Sequence, residues 1–330
     1  MLCTMKSSFV AILSLVDICT AAEWKVFPCA PKNYHIQIRD AVIQAVHMAK
    51  NAVDVIENHA GNNEVKSMLL SILGEDRGPK LLRNVGGYTE ARETGSLLDP
   101  SNQNVAIFCD NSNYDTDGGT LRDRIMGKRR VGTKRQTNAE ACYNPTPLEG
   151  RRSMAMTHTP DAVVGRKPEF DLWKASGYPG PRPDEAPYTT PYPHLPNSMD
   201  VCTWYLEALM TGSESGLGSG KSDDQILEMA NKAFVEGKLD DTTGPTATID
   251  LLSQRLAPTM LRELSHTTAG GTTYDHEREQ GGYKWFAVKR LQDPNNADSI
   301  NILALCMYLW SEKGYWVDMY GRMQKIQPLP

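Results

Sequence analysis

The chain has 330 residues, of which 40% are hydrophobic and 23% are charged, a composition typical of folded globular proteins with a sizeable core. Its formal net charge is -5 at pH 7. Proteins that bind nucleic acid or anionic membranes present clustered positive charge, so this balance argues against both partners.

The first 22 residues have the three parts of a secretory signal peptide. Lys6 precedes an apolar run from Phe9 to Cys19, and the small residues Thr20, Ala21 and Ala22 follow. Asp17 weakens the apolar run, and the alternative is a buried N-terminal helix or strand. No later stretch has the roughly 18 apolar residues of a membrane span. We expect cleavage after Ala22 and a secreted protein without membrane association.

Five cysteines remain after the signal peptide is removed. None of them forms a CxxC pair, which argues against thiolate zinc sites and redox pairs. An oxidising compartment favours two disulfides and one free thiol, with the pairing left open by the sequence. The five residues are Cys29, Cys109, Cys142, Cys202 and Cys306.

Two amphipathic helices are predicted in the first part of the mature chain. Apolar residues recur every three or four positions from Tyr34 to His59, and a second helix runs from Glu64 to Leu73, where Gly74 supplies a stop. Residues 75–103 have no period, which predicts a long surface connection. Residues 34–100 are thus expected to form a helical N-terminal part.

Short strands and long loops are predicted in the middle of the chain. Asn104–Cys109 and Ser153–His158 are typical of strands. The polar segment 110–150 and the proline-rich segment 166–197 are predicted to be long surface loops. The basic run at residues 122–135 is either a processing site cut after its last basic pair or, as we favour, a solvated charge run.

Helices are predicted again after the proline-rich segment. The first runs from Ser198, which is able to cap it, to Met210, and the second runs from Asp224 to Glu236. A glycine- and serine-rich link separates them. A third helix has Pro258 in its first turn, where the missing N–H is not needed.

This third helix carries the segment Arg262-Glu263-Leu264-Ser265-His266. Positions 262 and 266 share one helix face, at the spacing with which zinc peptidases place two histidine ligands around a glutamate base. Arg262 stands where the first histidine would be. Asp275 follows nine residues after His266, beyond a turn that begins Gly270-Gly271-Thr272-Thr273.

In these residues the chain resembles the aspzincin metallopeptidases, the deuterolysin and peptidyl-Lys metalloendopeptidase group. Members of that family have HExxH followed by a glycine-threonine turn that delivers an aspartate as the third zinc ligand. Tyr283-Lys284-Trp285 and Asn296-Ala297-Asp298-Ser299 also resemble family segments and occur in the same order. The resemblance covers residues 104 to 310 and is most specific in the region 257–310.

The resemblance implies a role for each matching residue. His266 and Asp275 would be zinc ligands, and Glu263 would be the general base that activates the metal-bound water. Tyr283 would donate a hydrogen bond to the tetrahedral oxyanion. Asp298 matches the residue that receives the substrate lysine in the lysine-specific members.

Structural roles are open for some of the same residues. The alternative for Tyr283, Trp285 and Trp310 is that they are aromatic side chains packed in the core. The alternative for Asp298 is that it is the acidic residue in the first turn of the last helix, which Asn296 caps. A rotation of the helix would turn Glu263 towards solvent, so that it takes no part in chemistry.

Arg262 argues against the metal that the family uses. A guanidinium has no lone pair for zinc and is itself a cation. We hypothesise that it replaces the metal by pairing with Asp275 and contacting Glu263 or His266. The rival hypothesis is that His276 serves as a substitute ligand. A further departure is Lys284, which stands where the family has glycine.

These observations predict a single zincin-like domain at residues 23–330. We expect an α+β fold with N-terminal helices, a small and mostly antiparallel sheet, and C-terminal helices that carry the site. The function that we favour is a secreted, monomeric pseudoprotease that binds a peptide, with doubtful retention of zinc. The alternatives are an active zinc metalloendopeptidase and an unrelated secreted structural protein.

Overall fold

The computed structural model describes residues 22–29, 33–74, 79–91, 104–109, 114–117, 120–123, 142, 154–158, 197–211, 225, 228, 240–241, 244–245, 247–275 and 284–326. Within these residues the fold is mixed α/β, with eight α-helices and a small sheet. Four predictions lie wholly or mainly outside the described residues: residues 1–21 of the signal peptide, the basic run from Arg124 onward, His276 and Tyr283. So does nearly all of the predicted helix Asp224–Glu236, of which Gln225 and Glu228 are described as helical.

The strands and helices are numbered here in chain order. The strands are β1 (Glu23–Val26), β2 (Thr89–Glu90), β3 (Val105–Phe108), β4 (Tyr114–Asp117), β5 (Thr120–Asp123), β6 (Ala155–His158), β7 (Asn197–Val201), β8 (Asp240–Asp241), β9 (Gly244–Pro245), β10 (Tyr315–Val317) and β11 (Met323–Lys325). The helices are α1 (Tyr34–His59), α2 (Asn63–Leu73), α3 (Pro79–Gly86), α4 (Thr203–Thr211), α5 (Thr248–Ser253), α6 (Leu256–His266), α7 (Lys284–Leu291) and α8 (Ala297–Tyr308), which continues into a π-helical turn at Leu309–Lys313.

The largest described sheet has five strands in the order β2-β1-β3-β7-β6. The pairings β1–β2, β1–β3 and β3–β7 are parallel, while β6 is antiparallel to β7. The prediction of a mostly antiparallel sheet is therefore wrong, because helices α1 to α3 carry the chain from β1 back to the same end of the sheet before β2 begins. A connection of this kind makes the joined strands parallel.

Helix α1 is the centre of the helical layer and confirms the helix predicted at Tyr34–His59. Its buried stripe includes Ile38, Val42, Ala45 and Ala49, all of them inaccessible to solvent. Helices α3, α6 and α8 pack against α1, and α6 also contacts strand β6. Helix α6, which carries the RELSH segment, is thus held between the long helix and the sheet.

Two segments differ from their predicted structure. The predicted connection 75–103 contains α3 and β2, because Leu82 and Val85 are buried in a helix too short to display a period. The predicted loop 110–150 contains the β4–β5 hairpin.

The predicted helix Ser198–Met210 also differs from the structure. Its first residues form strand β7, and helix α4 begins at Thr203. All five residues of β7 are buried between β3 and β6, so pairing on both edges outweighs the capping preference of Ser198. Ser198 is therefore a strand residue and does not cap a helix.

The cysteines follow the predicted count of two disulfides and one thiol. Cys29–Cys109 joins the segment after β1 to the end of β3, and Cys142–Cys202 ties residue 142 to the end of β7. Cys306 is a free thiol buried in α8. None of the described helices has the length and apolar character needed to span a membrane.

The start of α2 offers a test of the helical layer. Asn62 Oδ1 accepts hydrogen bonds from the backbone N–H groups of Glu64 (2.8 Å) and Val65 (3.1 Å). We predict that Asn62→Ala lowers the free energy of unfolding by about 1 kcal/mol, because two helix donors lose their acceptor. Chemical denaturation measures the change. Asn58→Ala is the control, since the Asn58 side chain bonds Asp54 at the surface, and equal losses in the two variants would contradict the prediction.

Candidate functional site

Helix α6 brings the predicted residues of the RELSH segment to one place. Pro258 lies in its first turn, as predicted, and Met260, Leu261 and Leu264 are fully buried on the core side. The helix ends at His266, after which Thr267 adopts an extended conformation. Arg262, Glu263 and His266 consequently lie along the last turns of α6.

The guanidinium of Arg262 lies among three carboxylates. Its Nη1 bonds Glu263, its Nη2 lies 2.5 Å from Asp275 Oδ2, and its Nε lies 3.3 Å from Asp298 Oδ1. The Arg262 side chain is only 17% exposed. The pairing of Arg262 with Asp275 and Glu263 that we hypothesised from the sequence is therefore present, and Asp298 joins it.

Glu263 is buried at 2% exposure, so the alternative that it faces solvent is wrong. Thr157 Oγ1 on β6 donates to Glu263 Oε2 at 2.7 Å and also lies 3.0 Å from the Glu263 carbonyl oxygen. Both carboxylate oxygens of Glu263 are thereby engaged, one by Arg262 and one by Thr157. The sequence analysis missed Thr157 because only the packing of β6 on α6 brings it to the site.

The ring of His266 is fixed at both nitrogens. Nδ1 lies 2.9 Å from the carbonyl oxygen of Thr273, to which it can only donate, and Nε2 lies 3.4 Å from Asp275 Oδ1. Burial opposes the charged imidazolium, but the hydrogen bond to Asp275 and the charge of Glu263 outweigh it, and the pKa of His266 is raised.

The carboxyl groups of Asp275 and Asp298 have pKa values shifted in opposite directions. Burial favours the neutral form of Asp275, but the hydrogen bond from His266 and the charge of Arg262 outweigh it and lower its pKa to about 2. Burial raises the pKa of Asp298 to about 6, although Arg262 acts in the opposite direction. The cations of the site thus stabilise the ionised form of Asp275 more than that of Asp298.

Asp298 lies in the first turn of α8, directly after Asn296 and Ala297. The side chain of Asn296 makes no capping bond to the helix backbone, and its Nδ2 donates to Ser299 Oγ instead. The expected capping by the Asn296 side chain is therefore wrong, while Asp298 both occupies the acidic first turn and contacts Arg262.

The glycine-threonine turn after α6 is what aims Asp275 at Arg262. Thr273 N–H donates to the Ser265 carbonyl oxygen, which folds the chain back along α6. Gly271 has φ +126°, and a Cβ on Gly270 would lie 1.9 Å from the carbonyl oxygen of Leu264. Only glycine fits at these two positions.

This turn yields a prediction for Gly270→Ala. The added methyl group must displace backbone, so we expect a loss of more than about 2 kcal/mol of unfolding free energy. Gly61→Ala is the matched control, because nothing lies within 4 Å of a Cβ at that glycine. Thermal unfolding of both variants measures the effect, and a Gly270→Ala protein as stable as the control would refute the close approach.

Helix α7 begins at a strained residue. Lys284 has φ +70°, in the left-handed region that favours glycine. The next residue, Trp285, is fully buried and donates its backbone N–H to Asp250 Oδ1 at 2.6 Å. Asp250 also accepts from the Ala247 N–H, and burial raises its pKa to about 6. Trp285 is thus a core aromatic, and Asp250 is a buried anchor that the sequence analysis missed.

We predict that Lys284→Gly is more stable than Lys284→Ala by about 1 kcal/mol, because alanine retains the Cβ that opposes a positive φ. Both variants remove the lysine charge near Asp250, so their difference isolates the backbone. Denaturant unfolding of the pair measures it. Equal stabilities would show that the left-handed conformation carries no cost.

The residues that are present do not fit the zinc that the resemblance implies. The cation of Arg262 already lies against Glu263, Asp275 and Asp298. A catalytic zinc site needs three protein ligands and an open position, and the described residues include no group of three or more His, Cys, Asp or Glu side chains able to hold a metal ion. Only His266 and Asp275 of the expected ligand set come together here.

Strand β6 borders α6 and forms one edge of the described sheet. The Cys202 N–H donates to the Met154 carbonyl oxygen, which fixes the antiparallel ladder with β7. Backbone polar groups alternate in direction along such a strand. Those of Ala155 and Thr157 therefore point away from β7, towards an edge on which no other described strand pairs.

Comparisons of the chain with protein-family models, with curated proteins and with solved structures find no match.

Proposed function

We propose that this protein is a secreted pseudoprotease, an aspzincin-type scaffold that holds a polypeptide without hydrolysing it. The observation that carries the proposal is the Arg262 guanidinium, which contacts Glu263, Asp275 and Asp298. In an active peptidase a metal would polarise water next to a free glutamate. In this chain the metal's position belongs to a group that cannot act as a Lewis acid.

The state of Glu263 supports the same conclusion. A general base must reach the proton that it removes. Glu263 accepts from Thr157 and from Arg262, and it is 2% exposed. Each oxygen of this carboxylate already accepts a hydrogen bond and the side chain is buried, so we propose that Glu263 no longer serves as a general base.

The proposed ligand is a polypeptide in extended conformation. An unpaired strand edge binds such a segment through main-chain hydrogen bonds. The backbone groups of Ala155 and Thr157 supply that edge beside the Arg262 cluster, and Asp275, at 32% side-chain exposure, is the most accessible carboxylate there. The two disulfides support an oxidising, extracellular location.

The proposal predicts that the parent protein contains no zinc and that Arg262→His gains it. Histidine at position 262 would restore the first ligand beside His266 and Asp275. Elemental analysis of purified secreted protein measures zinc, and a lysine-containing peptide reports cleavage. Arg322→His is the matched control, because Arg322 also pairs with an aspartate, Asp318, away from the site.

The outcomes separate the candidate functions. No zinc and no cleavage in the parent, with about one zinc per chain in Arg262→His only, is the expected result. Stoichiometric zinc with chelator-sensitive cleavage in the parent would overturn the proposal in favour of an active metalloendopeptidase. Absence of zinc from a folded Arg262→His protein, checked by circular dichroism, would remove the support for a metallopeptidase scaffold.

A further inference from the structure

A tyrosine next to the Arg262 cluster presents much of its side chain to solvent. Tyr274 is 47% exposed, and it directly precedes Asp275, whose carboxylate contacts Arg262. The other exposed large hydrophobic side chains of the described residues lie in α1, α2, α4 and the turn between β10 and β11. Among those described, Tyr274 is therefore the one that borders the site.

Hydrogen bonds fix Tyr274 at its backbone and at the end of its side chain. Its N–H donates to the Asn295 carbonyl oxygen at 3.1 Å, and its own carbonyl oxygen accepts from the Ala297 N–H at 3.0 Å. Its hydroxyl donates to Asp293 Oδ2 at 2.5 Å, and the other oxygen of that carboxylate accepts from the Asn295 N–H. A side chain held in this way loses little conformational entropy when a ligand packs on it.

The polypeptide of the proposed function needs a contact that selects its side chains. An edge strand binds the main chain of a ligand, and the groups beside the edge decide which side chains are accepted. The Arg262 cluster consists of charged or titratable side chains that are already paired with one another, namely Arg262, Glu263, His266, Asp275 and Asp298. None of these five ends in an apolar group, whereas the ring of a tyrosine offers an apolar face.

A continuous series of contacts joins the strand edge to Tyr274. Thr157 on β6 donates to Glu263, which contacts Arg262. Arg262 in turn contacts Asp275, and consecutive Cα atoms are only about 3.8 Å apart, so Tyr274 lies directly beyond that contact. A few residues of an extended ligand cover such a distance, at about 3.3 Å per residue. A polypeptide that pairs with β6 can therefore reach Tyr274.

We propose that Tyr274 selects the ligand: the bound polypeptide packs an apolar side chain, aromatic or aliphatic, on the Tyr274 ring while its main chain pairs with the edge of β6. This inference rests on the proposed function and adds to it the kind of sequence that is bound. An acidic side chain at the same place would approach the Asp275 and Asp293 carboxylates, and this repulsion excludes it.

Binding of short capped peptides to the full secreted protein, measured by isothermal titration calorimetry, tests the proposal. The peptides consist of alanine and serine and differ only at one central residue, which is Phe, Leu, Lys, Ser or Asp. We expect the Phe and Leu peptides to bind about tenfold more tightly than the Ser peptide, and the Asp peptide to bind most weakly. Tyr274→Ala should remove this preference, and Tyr274→Phe, which keeps the ring, should retain it. Tyr320→Ala is the matched control, because Tyr320 is 50% exposed on the turn between β10 and β11.

Nuclear magnetic resonance of the parent protein with the Phe peptide supplies a measurement that needs no variant. We expect magnetisation transfer between the Phe ring of the peptide and the ring of Tyr274, and its absence would overturn the inference. A preference that survives in a folded Tyr274→Ala protein, equal binding of all the peptides, or a preference for Lys would also overturn it, while polypeptide binding itself would stand. A parent protein that binds none of the peptides would overturn both this inference and the proposed polypeptide binding.

Discussion

Three carboxylates that are mostly withdrawn from solvent require a cation between them, and the rest of the site depends on this constraint. Glu263, Asp275 and Asp298 come from the end of α6, from the segment after the glycine turn and from the start of α8. Without a cation, the three negative charges would repel one another, which would push these elements apart or force one of the carboxylates to take up a proton. Arg262 supplies the positive charge with a planar group whose several donors point in different directions. Removing the guanidinium without replacement would leave buried charge unpaired, which is strongly destabilising.

A guanidinium satisfies the electrostatic requirement of the site and supplies none of the chemistry of a metal. It has no open coordination position and does not lower the pKa of water as a bound zinc does. Its two terminal nitrogens donate to Glu263 and Asp275, and Thr157 donates to the other oxygen of Glu263. The same interaction that holds these three elements together therefore also holds the Glu263 carboxylate, which is why we propose that one residue, Arg262, accounts for both the integrity of the site and a loss of catalysis.

The sequence was sufficient where the signal is local. The period of α1 continues through 26 residues, and the spacing of Glu263 and His266 fixes their common helix. The glycines at 270 and 271 likewise indicated a turn, and the family resemblance implied that this turn delivers Asp275 to the site. Local patterns do not reveal contacts between residues that are distant in the sequence. Ser198 lies in a strand because β3 and β6 flank it. Thr157 and Asp250 have their roles only through contacts that the fold creates. The direction of the sheet strands was missed for the same reason, since it depends on how helices return the chain.

Two positions at which the chain departs from the aspzincin pattern that it resembles differ in their effect on stability. Arg262 introduces a charge, and three carboxylates compensate it. Lys284 introduces a Cβ at φ +70°, and no contact can relieve a clash of a residue with its own backbone. The residues that hold these elements in place show no such departure: Gly270 remains where a Cβ would meet the Leu264 carbonyl oxygen, and Trp285 remains buried beside Asp250. In a protein that does not catalyse a reaction, close packing and unstrained backbone are needed only at the residues that support folding. The contrast between strain tolerated at Lys284 and close packing kept at Gly270 is what a scaffold retained for binding would display.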